Sequence, residues 1–451
     1  MASDLLIVGG GPAGYEAALA AARRGIDTTL LEKEHLGGSC LNWGCIPTKF
    51  LLAAVAARAE LEGQEKMKTG SGQIFPDLSA LVDRKKRHLE ATRKAMAAEL
   101  QRLGVKFVHG ELKMIGAVKS VIEVGGEPQT LAYTKCILAT GSRPAARTGL
   151  KPDHGVILNS GDILSLREVP KHLLVVGAGF IGLELAQFFS RAGSKITLIE
   201  VAPRIAPTED EEISKALTQS FKRMGWDIHT RAKIAGLSTV DGAARLTLEN
   251  GHEFVGDKCL LAAGRMPNSR NIMLEMLGAE VDRTGWVSTD DNLLASPTVY
   301  AVGDVNGRTL LAHAASHQGE WAVRHFAGEQ AGPYAPGPIP GCMYGAPETM
   351  RVGTMEAEAR SQGLEVTVSR SQLVANPIAQ AHGATGGLVK CVWSDGKLIG
   401  ATAAGHGVAS LATLATVLVS QGWSKKQCAE LIFPHPTLDE ALRDALLAPA
   451  S

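Results

Sequence analysis

The sequence predicts an α/β protein built from two copies of one strand–turn–helix–strand unit, followed by a smaller α+β domain. Three observations predict it. A Gly-x-Gly-x-x-Gly turn follows a short apolar run at Gly9, Gly11 and Gly14, and again at Gly177, Gly179 and Gly182. An acid ends the next apolar run in both copies, Glu32 and Glu200, so turn and acid recur together at one offset of 168 residues. The Gly- and Pro-rich run from Gly332 to Pro340 then marks a boundary, after which composition changes and no third such turn occurs.

In the first copy Leu5 to Val8 reads as a strand, the Ala-rich stretch to Arg24 as a helix, and Thr28 to Leu31 as the next strand. Glycines at this spacing let the backbone approach a pyrophosphate at the helix N-terminus, and the acid at the strand end can accept ribose hydroxyls. The flanking strand, helix and acid turn a weak three-glycine signal into a specific one, a Rossmann-like dinucleotide-binding unit. The second copy repeats it with Leu173 to Val176 and Ile196 to Ile199. Even the closing strands match, with Cys136 and Cys259 at equivalent positions as small buried hydrophobes. Glu200 would repel a 2′-phosphate, which favours NAD over NADP on the second copy.

Between the copies lies Gly37 to Lys49, with Cys40 and Cys45 separated by four residues. Five residues of regular helix rise ~7.5 Å, whereas a disulfide spans Cα atoms no more than ~7 Å apart. If the two cysteines pair, the backbone between them must leave ideal helix, and Gly44 and Pro47 provide the means. From Thr48 onward the sequence reads as strong helix, so a helix N-terminus lies near the thiols and favours thiolate. The alternatives are two inert buried cysteines or two metal ligands. CxxC-type spacing and further clustered ligands are missing, so no metal site is expected, and inert packing fits poorly beside two nucleotide turns.

The intervening elements are simpler. Asp77 to Leu103 reads as a long charged helix forming an αα-hairpin with the helix after Pro47, and its basic cluster Arg84 to Arg87 as a solvated face. Val105 to Leu131 reads as a β-meander returning through Cys136 to Gly141. Gly264 to Asn268 is expected to be a loop closing the second copy, and Val299 to Asp304 a strand ending in an acid that could bind a ligand hydroxyl. The expected domain limits are 1–148, 149–267, 268–335 (returning to the first domain) and 336–451. Near the end, Thr437-x-x-Glu440 fits a capping box for a helix from Leu438 to about Leu447. The same residues allow His435 to act as a proton acceptor oriented by Glu440.

Composition narrows the function. Lys plus Arg and Asp plus Glu both number 46, which gives no basic face for nucleic acid or an anionic membrane. No run of ~18 uninterrupted apolar residues suggests a membrane span. The first strand follows the N-terminal residues directly, without a signal-peptide pattern, and the seven cysteines are odd in number and scattered. The expected compartment is reducing and cytoplasmic, where a deliberate cysteine pair is more readily redox-active than structural.

The order of motifs, from the first glycine turn through Gly37 to Lys49, Ala139-Thr140-Gly141-Ser142, the second turn, Gly264-Arg265-x-Pro267-Asn268, Ala301-x-Gly303-Asp304 and His435-Pro436-Thr437-x-x-Glu440, resembles the pyridine nucleotide-disulfide oxidoreductases. It is most similar to their dihydrolipoamide-oxidising branch, over nearly the whole chain. The resemblance implies a glutathione reductase-like fold with a C-terminal dimerisation domain, FAD on the first unit, NAD on the second, and a homodimer acting on lipoamide or a lipoylated carrier. It implies FAD contacts from Gly9, Gly11, Gly14, Glu32, Lys49, Thr140, Gly141, Ser142, Asp304 and Ala312. NAD contacts are implied for Gly177, Gly179, Gly182, Glu200, Gly264 and Arg265. Cys45 would lie against the flavin as the charge-transfer thiolate and Cys40 would exchange with the substrate. Lys49 and Glu184 would pair near the reactive flavin nitrogen, and His435 with Glu440 would serve the other subunit's thiols. Glutathione-type reduction is disfavoured by Glu200 and by Ile46 to Lys49, and mercuric reduction by the single late cysteine, Cys428. A non-catalytic dinucleotide-binding protein would leave the cysteine pair, His435 and Glu440 unexplained.

Overall fold

The computed structural model describes residues 2–146 and 150–450, and the expected limit at 148/149 lies outside them. The chain forms two compact units. One comprises Met1–Pro47, Val82–Ala145 and Gly264–Ala335, and the other Thr48–Leu81, Ala146–Ala263 and Pro336–Ser451.

The first unit is organised on a sheet in the order Leu294–Ser296, Val299–Ala301, Glu127–Leu138, Ala2–Val8, Thr28–Glu32, Lys106–His109. Its four inner pairings, from Val299–Ala301 across to Lys106–His109, are parallel. Such strands are covered on both faces, which is why Leu5 to Val8 reads as an unbroken apolar run. Leu5 and Ile7 point to one face and pack with Ala17, Ala18, Ala322 and Trp321 of helices Pro12–Ala22 and Ala312–Phe326. Leu6 and Val8 point to the other, against Leu112, Ile122 and Leu131. Each fully buried Leu or Ile contributes about 1.5–3 kcal/mol of transfer free energy. The two helices approach closely because Gly319 has no side chain: a Cβ there would sit 2.1 Å from the Ala13 carbonyl oxygen.

The expected meander is confined to Glu111–Met114, Lys119–Val124 and Glu127–Leu138. Lys106–His109 instead extends the parallel sheet beside Thr28–Glu32. The segment read as a loop of the second copy is a strand of the first unit: Arg265–Pro267 pairs antiparallel with Ser142–Pro144. The long helix runs Leu78–Arg102. Within its basic cluster Lys85 is buried, unlike the exposed Arg84, Lys86 and Arg87, and burial pushes its pKa down.

The second unit contains a five-stranded parallel sheet in the order Asp227–His229, Lys195–Ile199, His172–Val176, Lys258–Leu261, Ile157–Leu158. A three-stranded antiparallel layer, Ile234–Val240, Ala243–Leu248 and Glu253–Gly256, packs Leu246 and Phe254 onto Leu174, Val176 and Ile199. Its C-terminal part is an antiparallel sheet in the order Gly341–Met343, Glu348–Gly353, Lys397–Gly405, Leu388–Ser394, Thr367–Gln372. Helices Ala412–Ser420 and Asp439–Leu447 cover it. Cys136 and Cys259 are both fully buried, and burial pushes the Cys259 thiol up to about 12. By length and composition the helical stretch Gly38–Met67 is long and apolar enough to cross a membrane, although it is broken at Gly44 and Val55 into three helices.

Candidate active site

The two glycine turns fold alike because the same steric demands act on both. Gly9 has φ +104° and Gly177 φ +101°, and a Cβ on either would lie within 2.4 Å of a carbonyl oxygen, of Ala139 or Ala262. A Cβ on Gly14 would sit 1.8 Å from the Gly9 oxygen, and one on Gly182 2.0 Å from that of Gly177. The middle glycines differ: nothing lies within 4 Å of a Cβ built at Gly179, and Gly11 meets only Gly38 Cα at 3.8 Å. These two cap helices Pro12–Ala22 and Phe180–Arg191 without any side-chain bond, leaving the helix N–H donors available to an anion.

The acids are tied to their turns in the same way. Glu32 Oε2 accepts the Gly10 N–H at 2.6 Å and Oε1 the Glu34 N–H at 2.7 Å. Glu200 Oε2 accepts the Ala178 N–H at 2.6 Å and Oε1 the Ala202 N–H at 2.7 Å. Arg204 donates to the Pro207 and Glu209 carbonyl oxygens rather than to the second acid.

Around the first turn, Ser142 Oγ donates to Asp304 Oδ2 at 2.5 Å and accepts from Arg265 Nε at 2.7 Å. Arg265 belongs to the first unit and bonds to Ser142 there. Asn268 donates to the Thr140 carbonyl oxygen through its side chain and to the Gly141 oxygen through its N–H, both at 2.9 Å. Gly141 takes the left-handed conformation, φ +68°. Gly264, φ +116°, accepts from the Ala145 N–H and precedes the paired strand, and Ala312 opens helix Ala312–Phe326. Thr140 Oγ1 is buried with no hydrogen-bond partner. An orphaned hydroxyl beside an uncapped helix and a side-chain-free turn fits a polar ligand such as the flavin dinucleotide. The second unit offers the same turn, acid and helix end to a pyridine dinucleotide.

Cys40 lies in helix Gly38–Trp43, and Cys45 opens helix Cys45–Ala54. Between them Gly44 has φ −141° and ψ −111°, so the backbone does leave the helix. A Cβ on Gly44 would come within 2.9 Å of the Ser39 oxygen. The helix starts two residues before Pro47, which it tolerates because the first-turn N–H groups have no intrahelical acceptor. Trp43 is exposed and stacks on His35 at 5.9 Å, and Arg93 donates to Asn42 Oδ1 at 2.8 Å.

In the second unit Lys49 Nζ lies 2.8 and 3.0 Å from the two oxygens of Glu184. Burial pushes the Glu184 pKa up, and the Lys49 ammonium works against that rise. Tyr344 completes the pair: its N–H donates to Glu184 Oε1 at 2.9 Å, and its ring lies 4.5 Å below the ammonium. The sequence offered no signal for Tyr344, which comes from the turn between strands Gly341–Met343 and Glu348–Gly353.

His435 Nδ1 lies 3.0 Å from Glu440 Oε2, with the imidazole 73% exposed and the carboxylate 6%. The Thr437 N–H, donating at 3.1 Å, and His435 hold the Glu440 carboxyl below its usual range. Glu440 thus closes half of a capping box and orients the ring at once. Helix Asp439–Leu447 begins one residue later than expected, with Leu438 as its cap. Arg443, one turn on, adds a bond to Glu440 Oε1 at 2.9 Å, a partner that helical spacing could have revealed.

Residues 3–319 match the pyridine nucleotide-disulphide oxidoreductase family, and residues 339–446 match that family's dimerisation domain. Dihydrolipoyl dehydrogenase of Chlorobaculum tepidum is 36% identical over 450 residues, 98% of this chain and 96% of the relative. The enzyme of the same name from Zymomonas mobilis is 35% identical over 454 residues, 99% of this chain and 97% of the relative. Among solved structures, LpdA of Mycobacterium tuberculosis superposes with a TM-score of 0.89 at 25% identity, covering 98% of this chain and 99% of that one. With both domains matched along almost all its length, the chain belongs to the pyridine nucleotide-disulphide oxidoreductases, dithiol–disulfide oxidoreductases that use FAD and NAD(H).

Proposed function

We propose that the protein oxidises dihydrolipoamide, free or carried on a lipoylated protein, passing the electrons through Cys40 and Cys45 and FAD to NAD. The observation that carries this reading is the Cys40–Cys45 segment, two sulfur-bearing residues on either side of a helix break, the second at the first position of a helix. That position favours a thiolate at Cys45. Cys40 is the sulfur that a substrate thiolate attacks, Cys45 leaves as thiolate, and the second substrate thiol then displaces Cys40 to give the cyclic disulfide and a reduced cysteine pair. FAD, when bound, supplies the two-electron acceptor that relays these electrons to NAD.

The other residues take supporting roles in the same reading. With Glu440 facing Nδ1 of His435, the proton sits on that nitrogen and Nε2 is left to take the proton of a substrate thiol. The turn at Gly9, Gly11 and Gly14, with Glu32, Thr140, Ser142 and Asp304, holds the flavin dinucleotide, and Lys49 with Glu184 keeps the paired role that the resemblance implies. The turn at Gly177, Gly179 and Gly182 with Glu200 holds NAD. In this reading the dimerisation domain brings together two copies, so that His435 of one subunit serves the cysteines of the other, and the enzyme works in the cytoplasm.

The test is anaerobic. Purified protein should be yellow, NADH should bleach the flavin, and a long-wavelength band should follow that is absent in Cys45→Ser. Dihydrolipoamide with NAD should turn over, while oxidised glutathione with NADPH should not. A colourless protein, or turnover only with the glutathione pair, would refute the proposal.

A further inference from the structure

One cluster in the second unit has no part in this chemistry. Glu60 stands on helix Ala56–Met67, His382 caps the end of helix Pro377–Ala381, and His406 lies in the turn after strand Lys397–Gly405. Glu60 Oε2 is 2.8 Å from His382 Nδ1, and Glu60 Oε1 is 3.2 Å from His406 Nε2. The imidazole centroids are 5.2 Å apart. Among the described residues this is the one group of three His, Cys, Asp or Glu side chains whose ligand atoms all lie within 4.8 Å of one another.

The backbone sets this spacing. Gly63, almost one helical turn beyond Glu60, could bear no side chain, since its Cβ would lie 2.1 Å from the His382 carbonyl oxygen. Gly383 has φ +61°, and its Cβ would meet the Gly63 oxygen at 2.6 Å. Helix and turn therefore touch main chain to main chain, which fixes how far Glu60 stands from His382. Glu60 and His406 also line a cavity of about 280 Å³ together with Arg191, Glu348 and Lys49. Arg191 is countered by Glu62 at 3.2 Å and the Ala346 carbonyl oxygen at 2.5 Å.

We propose that Glu60, His382 and His406 form a three-ligand site for a divalent transition-metal ion, zinc foremost, with its fourth position open to the cavity. Two imidazole nitrogens and one carboxylate are a donor set zinc accepts with three protein ligands and one water. Calcium and magnesium prefer all-oxygen cages, and copper(I) prefers sulfur. Ligands about 2.1 Å from a tetrahedral ion stand about 3.4 Å from each other. The two carboxylate–ring contacts, 2.8 and 3.2 Å, are shorter than this, so the carboxylate draws back from both rings to admit the ion. Bound there, zinc clamps helix Ala56–Met67 to the C-terminal sheet.

The experiment uses oxidised holoenzyme with accessible thiols alkylated, stripped by chelator and dialysed against micromolar zinc, with metal counted by mass spectrometry. About one zinc per chain is expected, and at least a tenfold loss of affinity in each of Glu60→Gln, His382→Gln and His406→Gln. Flavin content and melting temperature confirm that each variant folds, and His382→Gln, at the most exposed of the three, is the variant least able to perturb folding. Zinc should raise the melting temperature of the parent protein and leave that of His382→Gln unmoved. No bound zinc in the parent, or zinc retained undiminished in the variants, would mean that the three groups only hydrogen-bond to one another, and would overturn the proposal.

Discussion

Glu209 precedes helix Glu211–Arg223, with its carboxylate wholly out of solvent and 2.9 Å from Arg351 Nε. Burial pushes its pKa from 4.5 up to about 7, an effect that Arg351 only partly opposes. Between those two values the native chain holds a proton that the unfolded chain has released, so stability falls as pH rises through this window. At about 1.4 kcal/mol per factor of ten, the rise is worth about 3 kcal/mol, fully present below pH 4.5 and lost above pH 7. Glu209→Gln keeps the shape of the protonated side chain and removes the titration. Any change in the setting of Arg351 is the same at every pH and cancels from the comparison. Urea unfolding at matched flavin content, run from pH 4 to pH 8, should show the parent losing about 3 kcal/mol relative to the variant. A difference that stays flat within about 0.5 kcal/mol across that range would refute the burial reasoning.

His435→Gln should spare flavin reduction by NADH and slow dithiol turnover by ~10²–10⁴, the usual share of general acid–base catalysis; stopped-flow traces with an unchanged dithiol rate would remove His435 from the mechanism. Lys390, 3% exposed, lies 2.9 Å from Asp210, 2.8 Å from Glu212 and 2.6 Å from Glu356. Lys390→Met should cost about 3–5 kcal/mol at pH 7, because it strands the buried Asp210 carboxylate. Arg370 and Lys390 hold the Glu212 carboxyl down at about 2, so the native cluster's stabilisation is present above the ordinary carboxylate range and fades on acidification. The deficit of the variant should shrink below pH 4, and a deficit independent of pH would point to lost packing instead.

What could be read from the chain beforehand was local. Gly9 and Gly177 take a positive φ that side chains rarely adopt, and Gly14 and Gly182 sit too close to a carbonyl oxygen to bear a Cβ, so all four announce themselves. A break between Cys40 and Cys45 was required by the rise of a helix only if the two sulfurs pair, and Gly44 provides one. Residues meeting across long stretches of sequence left no such trace. Arg265–Pro267 read as a loop of the second copy because its partner strand, Ser142–Pro144, lies more than a hundred residues earlier. Lys85 looked like one of four exposed cations until packing set it apart. Tyr344 under Lys49, and the convergence of Glu60, His382 and His406, depend on how distant segments of the second unit fold together, and no periodicity encodes that.

The matching bonds from Glu32 to Gly10 and from Glu200 to Ala178 have a consequence for how long each coenzyme stays. Both loops are braced from within before any ligand arrives, so neither has to be ordered on binding. Near-identical cradles cannot explain why one dinucleotide would remain as a prosthetic group while another comes and goes with each turnover. In the proposed reading residence time is decided by surroundings the two sites do not share, and the Ser142, Asp304 and Arg265 cluster of the first unit is the part of those surroundings to which it assigns the longer-held tenant.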